Sequence, residues 1–380
     1  IFKLLPPETL FSGFASTAIW LIISGFVIGA AITQSGIGQR LASSISPYLS
    51  ASYPRLIAGL VCLAMLLGFV MPSSVGRAVV LIPIGMALAD KLGFEHASNG
   101  RLGIATALAI ACNMPSFAIL PANIPNMILA GSSESLFEIT IGYTEYLLLH
   151  FPVLGLLKSG CIVWLVLRIF PAEISLKTSF QETKQEQLQL APKQQKKVAL
   201  LLGITLLFWV TDSIHGVNPA WVGLVTAILL LFPKWGVLEP KSFNGSVDFA
   251  TVIFVAAALG LGALVNQSGI AASLGELFSH LLPQNPEQPF VNFMALSLIS
   301  TFTGLITTIP GVPTVLSPMA ADFSQLTGFS ITAVLMTQVI GFSTVIFPYQ
   351  VGPLVLAMQL SNQPLGQLLK ITLPLTALTI

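Results

Sequence analysis

Long apolar runs alternate with short polar connections along most of this chain. Runs at 14–33, 141–170, 198–211 and 249–265 contain few charged residues, and about 20 apolar residues are enough for a helix to cross the hydrocarbon core of a bilayer. The shorter runs are interpreted as tilted or partial spans. The pattern therefore predicts an all-α membrane protein.

Composition supports this prediction and excludes a soluble domain. Apolar residues make up 54% of the 380 residues and charged residues only 8%, whereas soluble domains have about 25% charged residues. The net charge of +1 gives no indication of nucleic acid or of acidic partners. Cys62, Cys112 and Cys161 lie in apolar surroundings without metal-site spacing, so we expect small packing residues there.

One strongly polar stretch interrupts the apolar pattern, at about 172–197. It is rich in Gln and carries Lys177, Lys184, Lys193, Lys196 and Lys197. Cytoplasmic loops of membrane proteins have an excess of Lys and Arg. This stretch is therefore predicted to be a cytoplasmic linker. A single cleaved signal peptide cannot explain apolar runs that recur through most of the chain.

The segments on either side of the linker are similar to each other. Thr-Gln-Ser-Gly-Ile at 33–37 matches Asn-Gln-Ser-Gly-Ile at 266–270, and Pro83 and Pro125 match Pro318 and Pro353 further on. Similar segments at a nearly constant spacing indicate two copies of one unit. The predicted organisation is a first repeat at 1–171, the linker at 172–197, and a second repeat at 198–380. The second repeat begins with two extra apolar segments, whose partners are expected upstream of Ile1.

Charges place the two repeats in opposite orientations. With the linker inside, a hairpin at 54–92 enters from the inner side and a hairpin at 289–327 enters from the outer side, so the repeats are related by inversion. Basic residues fall on the inner side at Arg40, Arg55, Lys91, Arg101, Arg168, Lys234, Lys241 and Lys370. The predicted outer loops hold Glu134, Glu138, Glu145, Asp212, Glu276, Glu287 and Asp322, with Lys3 as their single basic residue.

Pro, Gly and hydroxyl residues cluster at four places inside apolar sequence. Two clusters, 71–77 and 307–314, are the expected tips of re-entrant hairpins, and two, 113–126 and 341–353, interrupt the helices that follow. Irregular backbone at membrane depth occurs only against protein or a wet cavity. Helix breaks also offer carbonyls to a cation and N-termini to an anion. A single Pro or Gly is usually a kink, but four matched clusters predict one binding site.

Two basic residues lie within the apolar segments. Arg77 is in the first tip, where a charge costs about 2.5–3.5 kcal/mol on insertion scales and usually serves function. Its role stays open between recognition of substrate charge and a structural role, either binding of backbone carbonyls or snorkelling to the inner face. Lys158 lies in 141–170 without any matching feature, so a snorkelling or scaffold role is expected.

These motifs resemble the divalent anion/sodium symporter family, which includes the citrate-type carriers, over essentially the whole chain. In that family each tip carries Ser-Asn-Thr ahead of a Leu-Pro-Ile-like triplet. The corresponding residues here are Ser73, Ser74 and Val75 before Ile82-Pro83-Ile84, then Thr308, Ile309 and Pro310 before Ser317-Pro318-Met319. The Thr-Pro-Pro-Asn signature becomes Asn123-Ile124-Pro125-Asn126 and then Val351-Gly352-Pro353-Leu354. Both tip asparagines are absent, which leaves the substrate and the coupling ion open.

The resemblance implies an elevator-type secondary transporter of small dianions, with di- or tricarboxylates first, coupled to sodium and without another cofactor. The residues expected to bind substrate are Ser73, Ser74, Arg77, Asn123, Pro125, Thr308, Gln350 and Val351. Those expected to bind sodium are Ser73, Ser74, Ala122, Thr307, Thr308 and Gln350. A homodimer in a bacterial inner membrane is implied as well. Segments 38–50 and 271–282 are predicted to lie along the membrane surface as arms that frame the moving part.

Alternatives stay open at this point. Within transport, the chain is a candidate for a permease of sulfate or another inorganic anion, or for an anion exchanger. Protons are the rival coupling ion, although the four clusters contain no carboxylate or histidine. A channel or a membrane-embedded enzyme is less favoured, because His96, His150, His215 and His280 are scattered and form no metal or nucleophile constellation.

Overall fold

The computed structural model describes residues 6–37, 40, 51–174, 192–270, 273, 282 and 285–379. The described residues are mostly helical, and none of them is in a β-strand. The two predicted arms at 38–50 and 271–282 fall almost entirely outside the described residues, as does most of the linker at 172–197.

The described residues of the first half include six main helices. They are α1 Thr17–Ser35, α2 Tyr53–Val70, α3 Ser74–Lys91, α4 Asn99–Ala111, α5 Ile124–Phe137 and α6 Tyr143–Ile169. Short 3-10 turns at Pro115–Ala118 and Leu120–Ala122 join α4 to α5. A π-helical stretch at Phe151–Leu157 lies within α6, in a segment that contains Pro152.

The second half begins with two helices that have no counterpart in the described first half, α7 Pro192–Val210 and α8 Pro219–Leu231. The remaining six are α9 Phe249–Gln267, α10 Pro289–Thr307, α11 Gly311–Thr327, α12 Ile331–Ser343, α13 Gly352–Leu360 and α14 Leu369–Thr379. A 3-10 turn at Pro348–Gln350 lies between α12 and α13.

The order of helices α1–α6 recurs as α9–α14. In each set a long helix comes first, then a two-helix hairpin, then a helix that is broken in two, and then a last helix. Capping residues recur too, since Ser98 and Ser330 accept hydrogen bonds from backbone N–H groups at the starts of α4 and α12. The predicted fold class is confirmed: an all-α membrane protein of two inverted repeats, each with a hairpin and a broken helix.

The first hairpin differs from the expectation in one detail. The sequence pattern predicted irregular backbone over 71–77, but α3 begins at Ser74, so that only 71–73 separate its two arms. The physical reason is a cap, because Ser73 Oγ accepts a hydrogen bond from the N–H of Gly76 and starts the helix early.

Membrane-spanning character is clear from length and composition. Helices α1, α2, α6, α9 and α10 are each long and apolar enough to cross a bilayer. Helices α11 and α12 follow each other at an angle of 116°, so they turn back on each other instead of forming one straight span. The chain is an integral membrane protein.

Crosswise packing joins the two repeats. Within each half the first hairpin helix packs on the broken helix, α2 on α4 and α10 on α12. At Gly341 of α12 the approach to α10 is so close that a Cβ would lie 2.7 Å from the carbonyl carbon of Ser300. Between halves, α5 packs on the start of α11 and α13 packs on α3. Each hairpin therefore contacts the second part of the other repeat's broken helix, and this brings both tips to one place.

Candidate functional site

A cavity of about 590 Å³ lies where the two hairpin tips and the two helix breaks meet. Each of the four predicted clusters contributes to its wall. The lining residues from these clusters are Pro72, Ser73, Ser74, Val75, Gly76, Asn113, Phe117, Ala122, Asn123, Ile124, Pro125, Ile309, Pro310, Gln350, Val351, Gly352 and Pro353. The structure thus brings six of the eight predicted substrate-binding residues to one cavity: Ser73, Ser74, Asn123, Pro125, Gln350 and Val351.

Most of the remaining wall comes from α1 and from the segment before α9. Thr33 and Gln34 line the cavity at the end of α1, and 245–248 line it ahead of α9. Both segments belong to the ends of helices that the positive-inside rule places on the cytoplasmic side. The cavity therefore extends from the tips and breaks toward the predicted cytoplasmic face.

Hydrogen bonds fix the first tip to the first break. Ser74 Oγ donates to Asn123 Oδ1, and Asn123 Nδ2 donates to Ser116 Oγ at 2.8 Å. Arg77 Nη2 donates to both hydroxyls, at 3.0 Å to Ser74 and 2.6 Å to Ser116. The four side chains form a buried network that holds the starts of α3 and α5 in place.

Arg77 lies behind the cavity wall and is fully buried. Its Nε donates to the carbonyl of Cys112 at 2.9 Å, Nη1 donates to the carbonyl of Met71, and Nη2 also reaches the carbonyl of Ala122 at 3.4 Å. None of these partners is a carboxylate. An ion pair joins Arg101 to Asp90 elsewhere in the protein. This geometry matches the expectation of a guanidinium that holds backbone carbonyls; direct contact with substrate stays a prediction.

A side-chain amide links the second tip to the second break. Gln350 Oε1 accepts hydrogen bonds from the N–H groups of Ile346 at 2.9 Å and Phe347 at 2.8 Å. Its Nε2 donates to the carbonyl of Gly304 in α10 at 2.9 Å. The side chain of Gln350 is therefore occupied at both ends, although the residue lines the cavity.

Thr307 and Thr308 do not line the cavity. Thr307 Oγ1 donates to the carbonyl of Thr303 at 2.8 Å, as hydroxyls at the end of a helix commonly do. Thr308 is exposed and adopts φ 73° and ψ 168°, a backbone region that only glycine populates readily. This strained residue forms the turn of the second hairpin.

The six residues predicted to bind sodium do not form one cage in this structure. Ser74 and Ala122 already accept hydrogen bonds from Arg77, and the amide of Gln350 is occupied. Thr307 and Thr308 are not among the residues that line the cavity. Ser73 lines it, with an oxygen that also caps α3.

Asn113 lies in the first predicted break but was not among the residues predicted to bind substrate or sodium. It lies just after α4, lines the cavity and is only 2% exposed, yet its Oδ1 has no hydrogen-bond partner. Among the described residues, twelve buried side-chain N and O atoms have no partner, and only that of Asn113 belongs to a residue that lines the cavity. Such an atom is expected to bind a ligand, ion or water. The sequence feature that could have identified it is an amide side chain at the first residue of the first break.

The electrostatics of the cavity favour an anion. Three half-helices begin at its wall, α3 at Ser74, α5 at Ile124 and α13 at Gly352, and helix N-termini carry partial positive charge and free N–H groups. Among its described lining residues the single acidic one is Asp248, at the cytoplasmic end. A hydrogen bond from the Thr251 hydroxyl lowers the pKa of Asp248, so this carboxylate is charged at neutral pH.

Helix α6 supports both breaks from behind. Tyr146 donates through its hydroxyl to the carbonyl of Phe117 at 3.0 Å in the first break. Lys158 is buried, and its Nζ donates to the carbonyl of Ser343 at 2.7 Å, at the end of α12. Lys158 therefore has a structural partner, in line with the scaffold role expected for it.

Comparison with known proteins gives a family match over most of the chain. A family model described as citrate transporter matches residues 1–341. A membrane protein of Cupriavidus necator is 25% identical over 341 residues, which are 87% of this chain and 66% of that protein. The chloroplastic dicarboxylate transporter 2.2 of Arabidopsis thaliana is 25% identical over 300 residues, 74% of this chain and 52% of that protein.

A third relative is the sodium-dependent dicarboxylate transporter SdcS of Staphylococcus aureus, 22% identical over 353 residues, with 86% of this chain and 66% of that protein covered. The chain spans about half to two thirds of the length of these curated relatives. Among solved structures, the crystal structure of the Alcanivorax borkumensis YdaH transporter, described as having an unusual topology, covers 99% of this chain and 87% of its own, with a TM-score of 0.61 and 18% identity. The matched family, the two dicarboxylate transporters and the YdaH structure are all transporters, not enzymes.

Proposed function

Because this chain belongs to the citrate transporter family, we propose that it is a secondary transporter of small dianions, with di- and tricarboxylates as the first candidates. One observation carries the proposal: two hairpin tips and two helix breaks meet at one cavity that three half-helices face with their N-termini. The membrane is proposed to be a bacterial inner membrane, with the linker at 172–197 on its cytoplasmic side.

The positive charge of Arg77 strengthens the preference for an anion. Its guanidinium lies behind the first tip, and its hydrogen-bond partners are all neutral oxygens. In the low dielectric of a protein interior such a charge acts over a longer distance than it would in water. A dianion in the cavity would compensate this charge, while hydroxyl and backbone N–H groups around Ser73, Asn123 and Val351 would orient its carboxylates.

Sodium is the proposed coupling ion. One relative is named a sodium-dependent dicarboxylate transporter, and the unpartnered Oδ1 of Asn113 is a neutral oxygen that a hard cation such as sodium accepts as ligand. Sodium bound at Asn113 would order the adjacent break and place the substrate's donors before the anion arrives. A proton is less favoured, since Asp248 is the one acidic lining residue and no histidine lines the cavity among the described residues.

An elevator motion is the proposed mechanism of alternating access. The two hairpins and two broken helices pack crosswise on each other, so we expect them to move as one rigid unit. The cavity lies between this unit and helices α1 and α9, whose residues form its other wall. The unit would slide against a static part that consists of these helices and of α7 and α8. The two repeats are proposed to be 1–171 and 198–380. A homodimer would form through the static part.

Uptake into proteoliposomes tests the function. We expect labelled succinate or citrate to accumulate when the full-length protein faces an inward sodium gradient, and to accumulate far less with choline in place of sodium. Labelled sulfate serves as the inorganic alternative. Absence of uptake for all three anions, or an anion current far above the turnover of a carrier, would contradict the proposal.

A matched pair of variants tests the cavity itself. Asn113→Leu keeps the approximate side-chain volume but removes the unpartnered amide oxygen, so the apparent sodium affinity should fall by roughly tenfold or more, a difference of about 1.4 kcal/mol. Asn244→Leu makes the same change at an exposed position and should leave transport unchanged. Equal sodium affinity in the two variants would remove Asn113 from the proposed site.

Anion exchange is a second candidate function, and the fixed charge of Arg77 is the observation that favours it. In a carrier with a permanent positive charge behind its site, the bound anion neutralises that charge, so the loaded site can move across the membrane in either direction. Exchange predicts that labelled dicarboxylate leaves preloaded liposomes only when unlabelled dicarboxylate is outside. Efflux into buffer that contains sodium but no anion would argue against this candidate.

A further inference from the structure

We propose that the guanidinium of Arg77 is a resident cation, which fills an oxygen cage at the first break and replaces one coupling sodium ion. The inference rests on the proposed sodium-coupled function and specifies how many sodium ions that function uses. It assigns Arg77 a positioning role, because the residue touches the elements that form the cavity and not the cavity itself.

The cage consists of five oxygen atoms from two neighbouring elements of the fold. Three are backbone carbonyls, of Met71, Cys112 and Ala122, and two are the hydroxyls of Ser74 and Ser116. The carbonyls belong to residues at the tip and at the break, where regular helix is interrupted. Neutral oxygens of this kind are ligands for a hard cation. A guanidinium with its five N–H donors satisfies the same set from within the chain.

Charge balance supports a cation role over a simple hydrogen-bond role. No carboxylate is among the partners of Arg77, so nothing in direct contact neutralises it. A buried guanidinium without a counter-ion is costly to maintain, and a chain that needed only hydrogen-bond donors at this point had neutral side chains available. The positive charge itself is therefore the property that the site requires, as a sodium ion would supply it.

The second break provides an independent parallel. It has no basic residue at 307–314 or 341–353, yet the carbonyl of its last helical residue before the break, Ser343, accepts a hydrogen bond from the buried Nζ of Lys158 at 2.7 Å. Cys112, whose carbonyl contacts Arg77 Nε, holds the corresponding place after α4. Cations stabilise helix C-termini, and in both repeats a buried basic side chain of the protein occupies that position.

A measurement without substrate tests the cage directly. In detergent, the full-length Arg77→Ala protein should melt at a lower temperature than wild type and should regain much of the difference in millimolar methylguanidinium, which fits the vacated cage. Sodium chloride, compared with choline chloride at equal ionic strength, should stabilise Arg77→Ala more steeply than wild type, because a second sodium site has opened. Arg101→Ala, which removes an arginine from the ion pair with Asp90, should show neither response.

The result that would overturn the inference is an Arg77→Ala protein whose sodium and methylguanidinium responses equal those of wild type. If Arg77→Ala does not fold, Arg77→Lys decides the matter, since lysine keeps a resident cation. The uptake rate of Arg77→Lys should then depend on sodium concentration as steeply as that of wild type. A steeper dependence would refute the proposal. The melting experiment needs no transport, so a lack of dianion uptake by wild type would contradict the proposed function without deciding the cage.

Discussion

The two hairpin tips reach one cavity on the same backbone plan, but different side chains hold them. At the first tip, Ser74 is buried in a network with Asn123 and Arg77 that ties the hairpin to the break behind it. At the second tip, Thr308 is exposed in a strained backbone conformation, and the amide of Gln350 provides the side-chain link between hairpin and break.

The comparison shows that the two repeats share their backbone features but differ in the side chains that hold them. Both repeats keep the hairpin, the break and the crosswise packing, because these backbone features create the cavity. The source of the charge that fixes each break differs. Arg77 of the first hairpin fixes the first break, and Lys158 of α6, which also belongs to the first repeat, fixes the second break.

Removal of the second tip's amide link should have the largest effect on stability. Gln350→Leu leaves the N–H groups of Ile346 and Phe347 and the carbonyl of Gly304 without their partner. An unsatisfied buried polar group costs about 1–3 kcal/mol, and partial relaxation lowers the sum, so we expect a loss of about 3 kcal/mol. Denaturant unfolding in detergent micelles measures this difference.

The control for that prediction is Gln359→Leu, which makes the same change at an exposed position on α13. It should alter the free energy of unfolding by less than about 0.5 kcal/mol. Equal stability of the two variants would show that the amide of Gln350 does not hold the second break.

Sequence patterns predicted the architecture because the features that define it are local and periodic. Apolar runs, the repeated Gln-Ser-Gly motif and the four Pro- and Gly-rich clusters specify the repeats, the hairpins and the breaks without knowledge of contacts. The convergence of those clusters followed from symmetry, since inverted repeats bring equivalent segments to the same depth.

The partners of individual side chains were beyond such reasoning. Whether Arg77 faces the cavity or the carbonyls behind it depends on its rotamer and on its distance from α4. No periodic pattern in the sequence predicts either of these. The unpartnered oxygen of Asn113 and the backbone strain at Thr308 likewise exist only in the folded arrangement. Sequence similarity to the tips of related carriers indicated where ligands bind, but not which oxygens the protein uses for itself.

Removal of the lysine behind the second break should have the next largest effect. Lys158→Met leaves the carbonyl of Ser343 without its donor, and we expect a loss of about 2 kcal/mol because an unpaired buried acceptor outweighs the relief from a buried charge. Lys197→Met is the matched control, since its Nζ donates to the carbonyl of Trp235 at an exposed site. An equal loss in both variants, measured by denaturant unfolding, would contradict a special role for Lys158.

Relief of strain at the second tip should act in the opposite direction. Thr308→Gly removes the steric conflict of a branched side chain at φ 73° and should raise the free energy of unfolding by about 1 kcal/mol. Thr307→Gly, at the last residue of α10, should lower it by a similar amount because glycine weakens the helix end. Opposite signs in thermal melts support the strained turn, whereas destabilisation by both would contradict it.

The smallest effect concerns two equivalent helix starts, Ser16 before α1 and Asp248 before α9. Both side chains accept backbone hydrogen bonds as N-caps, but only Asp248 titrates. Its hydrogen bond from Thr251 lowers its pKa in the folded protein, so its contribution is present above the ordinary pKa of about 3.9 and is lost as pH falls through the lower folded value.

Because Asp248 is exposed, the whole cap should contribute only about 0.5–1 kcal/mol. Asp248→Ser should therefore flatten the fall in melting temperature between pH 5 and pH 3 slightly, and Ser16→Asp should transfer a similar small dependence to α1. An acid-induced loss that is unchanged in Asp248→Ser would place the titrating group elsewhere. Such a result would also show that the two helix starts differ in sequence alone and not in how they respond to acid.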